Sequence, residues 1–145
     1  MVRSGSAKDI DPTQSGKYRR VGASLLTSAR ALDAVAVPGD PYGNAIGVVA
    51  VHAAIAYNDA LTIAFRGRKS TEGHHRRAAD VLQRALGHRA KAEEVERLRS
   101  ILVLKDRISY AGQYYTLDEA RTLLRSAEAF APWAKALYAE RPAGS

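Results

Sequence analysis

Three charged or imidazole side chains interrupt one long apolar stretch: His52, Asp59 and Arg66, each seven positions after the last. Seven residues turn an ideal α-helix through about 700°, roughly 20° short of two full turns, so the three fall on one slowly drifting stripe. A carboxylate near an imidazole raises its basicity, and an arginine in line can hold negative charge. The spacing therefore predicts a groove lined by all three, fit either for a general base or for a hydrogen-bond network between helices.

A second constellation follows at once: Arg68-Lys69-Ser70-Thr71-Glu72-Gly73-His74-His75. Cations and imidazoles at the mouth of a helix, whose first amides are unpaired, suit a phosphate. For RNA cleavage without a metal, an imidazole can take the proton of a ribose 2′-hydroxyl while a guanidinium steadies charge on phosphorus. The competing reading is a capped helix start with histidines in water. A third group is Lys105 with Tyr110 near the end of a later helix, a cation and a phenol, with Asp106 and Arg107 between them.

Other chemistries find no support in the pattern. There is no glycine-rich phosphate loop, no HExxH and no G-x-S-x-G, so the sequence gives no motif for a nucleotide triphosphatase, a zincin or an α/β-hydrolase. The four histidines lack i, i+4 ligand spacing, and no metal or cofactor is expected.

The elements that must position these groups read as helices. Tyr18, Val21, Leu25, Leu26, Ala29 and Leu32 recur at three- and four-residue steps and predict a first helix from Lys17 to about Ala36. Val37-Pro38-Gly39-Asp40-Pro41 ends it, with Asp40 as cap for a second helix from about Tyr42 to Phe65 that is apolar on nearly every side and should be central. Gly67–Gly73 reads as a basic loop, followed by helices from about Thr71 to Leu86, Ala92 to Tyr110 and Thr116 to Tyr138. Thr116 and Glu119 form a capping box for the last, and Pro132 should bend it. The expectation is an all-α, five-helix up-and-down bundle with no sheet: a loose tail over residues 1–15, one domain over 16–139 and a short tail over 140–145.

The chain has 145 residues, 46% of them hydrophobic and 26% charged, which suits one folded domain and excludes wholesale disorder. It carries no cysteine, so disulfides and thiolate chemistry are out. The start Met-Val-Arg-Ser has no signal core and the longest unbroken apolar run, Ala45–Val51, is too short for a bilayer. These features predict a soluble cytoplasmic protein without a membrane partner. The net charge of +7 is uneven: residues 61–91 hold eight basic groups against two acidic ones and three of the four histidines. Such a cluster attracts phosphates.

The order of these features resembles the HEPN domain superfamily, in its small stand-alone bacterial members. The similar stretches are Val51 to Leu61, the Gly67-Arg68-Lys69-Ser70 loop followed by His74-His75, Leu102-Val103-Leu104-Lys105 with Tyr110, and Glu119-Ala120 with Ala127-Glu128-Ala129-Phe130 in the last helix. The resemblance implies a helical bundle that dimerises, and a family associated with RNA cleavage, toxin–antitoxin and phage-defence systems, and with non-catalytic RNA or nucleotide binding. Active ribonucleases of that family carry a late R-x4-6-H motif; here that segment offers Lys105-x4-Tyr110 and no histidine.

The expectation is thus a homodimeric RNA- or nucleotide-binding protein contacting phosphate through Arg66, Arg68, Lys69, His74, His75 and Arg76. An endoribonuclease activity would rest on His52, Asp59, Arg68, His75, Lys105 and Tyr110. The alternative is a non-catalytic interaction or regulatory module that meets an antitoxin or another protein partner through its helices.

Overall fold

The computed structural model describes residues 7–39, 41–71, 77–109 and 113–145. Five helices carry the fold: α1 (Ser15–Val35), α2 (Tyr42–Arg66), α3 (Ala78–Leu86), α4 (Ala92–Ser109) and α5 (Leu117–Ala139). The apolar character of α2 on all sides has the expected consequence, since it packs against each of the other four helices and most extensively against α1 and α5. Its Ile46, Leu61 and Ile63 join Phe130 of α5, Leu82 of α3, and Leu98, Ile101 and Leu102 of α4 as fully buried side chains. Each such burial is worth about 1.5–3 kcal/mol. By length and composition α2 could cross a bilayer, at 25 residues, yet 78% of its apolar window is buried inside the bundle.

The expectation of no sheet is corrected. Strand β1 (Ala7–Asp9) pairs antiparallel with β2 (Arg68–Ser70), in the register Ala7↔Ser70, Lys8↔Lys69 and Asp9↔Arg68. Residues 7–15 are accordingly no loose tail: β1 leads into a 3-10 turn at Pro12–Gln14, capped by the Asp11 side chain, and Ser15 is buried with its hydroxyl 2.9 Å from that of Tyr138. The last residues are also held, because the Ser145 hydroxyl donates to the Ala64 carbonyl at 2.9 Å.

What joins α2 to the ribbon is Gly67. Its φ of 65° is the left-handed conformation that ends helices, and its amide returns to the Ile63 carbonyl at 2.8 Å. The chain then leaves the helix axis and Ile10 donates to the Gly67 carbonyl at 2.7 Å, closing the ribbon against it. The basic segment read as a loop is therefore half strand. Helix α3 begins at Ala78, with Thr71 outside it. The proposed cap Asp40 lies outside the described residues. At the other end of the molecule the capping box is present in full: Glu119 N–H donates to the Thr116 hydroxyl at 3.1 Å, and the Thr116 amide donates back to Glu119 Oε1 at 3.3 Å. Helix α5 then runs through Pro132 unbroken.

Candidate anion-binding site

The ribbon's two-residue alternation sorts the basic segment into two faces. Lys69 turns inward: its ammonium lies 3.7 Å from Asp59 Oδ2 on α2 and 5.3 Å from the centre of the Tyr18 ring on α1. Lys8, directly opposite Lys69 in the register, bears a like charge. Such a pairing costs stability unless something compensates it. Asp59 supplies the compensation, since both lysines act on it electrostatically. Burial nonetheless wins, raising the Asp59 carboxyl from 3.8 to about 7 against the opposing pull of Lys69 and Lys8. Around it the polar satisfaction is incomplete: Asp59 Oδ1, both amide atoms of Asn58 and the Ser70 hydroxyl are buried without a hydrogen-bond partner among the described residues.

Arg68 faces the other way. Its Nε is 3.3 Å from Asp9 Oδ1 across the ribbon, a pair whose carboxylate side chain is 92% exposed and correspondingly screened. Beside it opens a groove of about 220 Å3 whose lining includes Arg66, Arg68 and Arg84, with Ala7, Val81 and Ala85 as apolar walls. Each part has a local cause. Arg66 is the last residue of α2, placed on the rim by the Gly67 turn; Arg68 follows on β2; Val81, Arg84 and Ala85 share one face of α3 at i, i+3 and i+4. Arg66 and Arg84 also stand in the last turns of their helices, where the helix dipole favours a cation. Neither has a carboxylate partner among the described residues. Next to the groove, Arg89 lies over the Phe65 ring at 5.5 Å.

The predicted residues thus separate into three places. His52, Asp59 and Arg66 do not share a groove, which corrects the stripe reading. His52 is exposed near Lys105 of α4, Asp59 is covered by the ribbon about 10.5 Å further along the helix axis, and Arg66 lies at the helix end. An ideal stripe ignores what packs on it: β2 covers Asp59, while His52 stays exposed. The His52 imidazole is held below its usual 6.5, first by partial burial and then by Lys105. Of the phosphate contacts expected, Arg66 and Arg68 face the groove and Lys69 does not. His74, His75, Arg76 and Tyr110 lie outside the described residues. Sequence reasoning missed Arg84 as a member of the site, although its place beside Val81 and Ala85 on the rim of an amphipathic helix was a usable signal.

Among the described residues no group of three or more histidines and carboxylates could hold a metal ion. What the site can do is attract an anion: three arginines, each with several donors in a plane, line one concavity with apolar walls. The chain matches no family model, no curated protein and no solved structure.

Proposed function

We propose that this protein binds a phosphate-bearing partner, RNA foremost, through the groove of Arg66, Arg68 and Arg84, and that it does so as a dimeric HEPN-like helical bundle. The observation that carries the reading is that three arginines, two of them without a carboxylate partner among the described residues, line one groove of about 220 Å3. Guanidinium forks match phosphate oxygens in geometry, and each phosphate neutralised on a single strand releases counterions, so log affinity falls by about 0.7 per contact for each log unit of salt.

The test is fluorescence anisotropy of a labelled single-stranded RNA over a salt series, with Arg66→Ala and Arg84→Ala beside wild type. A salt-dependent affinity whose slope shrinks in each variant supports the proposal; a flat salt response, or binding indifferent to both substitutions, overturns it. Sedimentation of the same samples checks the dimer.

One observation favours a catalytic extension. An imidazole held below its ordinary pKa is mostly neutral at pH 7, and His52 has Lys105 as a cationic neighbour. A neutral base within electrostatic reach of an ammonium suits transfer of the 2′-hydroxyl proton with charge stabilisation at phosphorus. Cleavage of the RNA in chelator by wild type, lost in His52→Ala and Lys105→Ala, supports it; intact RNA removes it and leaves binding.

A further inference from the structure

A second concavity lies on another side of the bundle, where α1, α2 and α5 meet. It encloses about 390 Å3, within the range of roughly 300–1,000 Å3 typical of small-molecule sites. Leu26 and Ala131 give it an apolar base, while Thr27, Arg30, Tyr57 and Lys135 supply polar groups. Lys69, Arg66, Arg68 and Arg84 take no part in it, so it is independent of the groove above.

Tyr57 is its most telling member. The residue is only 3% exposed, yet it lines the cavity. The ring is held by α1 at Gly22, where a Cβ would meet ring carbons at 3.0–3.2 Å. Burial raises the phenol above its usual 10 against the pull of Arg19 and Arg30, so at neutral pH it is an O–H donor.

The charge balance at the rim is positive. Arg30 donates its Nε to Glu128 at 2.6 Å, which occupies one edge of the guanidinium and leaves its terminal nitrogens without a partner among the described residues. Lys135 is exposed and makes no ion pair among them. Arg30 and Lys135 against Glu128, with Arg19 also acting on Tyr57, leave positive charge in surplus beside a phenol donor and an apolar floor.

We propose that this cavity binds a small organic anion, a monocarboxylate with an apolar body, whose carboxylate meets Lys135, Arg30 and the Tyr57 hydroxyl while its body lies on Leu26 and Ala131. The class follows from the lining: a positive rim with a phenol donor fits a carboxylate, and the apolar floor favours an organic body over a fully hydrated ion such as acetate. The site goes beyond the RNA-binding reading and stands without it.

The experiment is a titration of the full chain with 2-naphthoate, read by amide chemical shifts and by calorimetry, with acetate and uncharged 2-naphthylmethanol as comparison probes. Saturable shifts at Ala23, Thr27 and Lys135 are expected, with both comparison probes at least ~10-fold weaker, as the loss of charge-assisted hydrogen bonds or of apolar burial implies. Lys135→Glu, at an exposed position that tolerates substitution, should weaken naphthoate by ~10-fold or more, and Tyr57→Phe, which keeps the ring's packing, by ~3–10-fold. Arg84→Ala should leave it unchanged, which separates this site from the RNA groove. Shifts centred on Arg66, Arg68 and Arg84, equal binding of 2-naphthylmethanol, or undiminished affinity in both Lys135→Glu and Tyr57→Phe would each overturn the proposal.

Discussion

Asp59 on the central helix and Lys69 on the ribbon approach to 3.7 Å with side chains only 6% and 16% exposed, so the ion pair that ties β2 to α2 is formed away from water. Taking two charges out of water is costly, and a pair at this separation repays the cost only in part. The raised Asp59 carboxyl is the same fact seen through titration.

That fact has a pH signature. The folded carboxyl keeps its proton up to about pH 7, whereas its ordinary value is 3.8. Between those values the folded state binds more protons than the unfolded one, so this group makes stability fall as pH rises across the window and adds nothing further beyond either end. Urea unfolding at a series of pH values should show the decline, and Asp59→Asn should flatten it. An unchanged profile in that variant would place the linkage elsewhere.

A second titration reports on the neighbourhood of His52. Lys105 lowers the imidazole, though less than burial does. In Lys105→Ala the histidine should titrate higher, toward but short of 6.5, as followed by the ring proton shifts. Identical midpoints in wild type and variant would show that the two side chains do not interact in solution.

At the opposite end of α2, Asn44 stands in for a strand. Its Nδ2 donates to the Gln113 carbonyl at 2.8 Å while its Oδ1 accepts from the Tyr115 amide at 3.0 Å, and Gly43 beside it leaves no room for a side chain against the Tyr115 carbonyl. Asn44→Ala loses both bonds and strands a backbone donor and acceptor, a cost of about 1–3 kcal/mol measurable by denaturant unfolding. Thr116→Ala, which removes the cap of α5, should cost about 1 kcal/mol.

The groove arginines should behave in the contrary way. Arg66 and Arg84 are exposed and without carboxylate partners among the described residues, so alanine at either position should change stability by less than about 0.5 kcal/mol while weakening RNA binding. A variant that lost stability and binding together would mark its arginine as structural.

The helices were legible because periodicity is a local property: the apolar steps of α1, the all-round apolarity of α2 and the Thr116–Glu119 box each lie within one element. The ribbon was not. Strands of three residues are too short to show alternation, and Arg68–Ser70 becomes a strand only because Ala7–Asp9, some sixty positions earlier, pairs with it. The site suffered from the same gap. The positive charge of Arg66 and Arg68 was readable, their place on one groove was not; that Lys69 between them turns inward follows from the pleat, which a loop assignment conceals. Arg84 joins them across α3, a neighbour relation that no one-dimensional spacing contains.

Gly67 is a single residue whose backbone sign decides how Arg66 and Arg68 are aimed relative to one another. A residue with a side chain there would hold the reversed twist only under strain, and its Cβ would press on the Ile10 carbonyl at 3.1 Å. The arginines themselves could be exchanged one at a time, yet the way the basic rim is aimed is stored at a position that carries no charge at all.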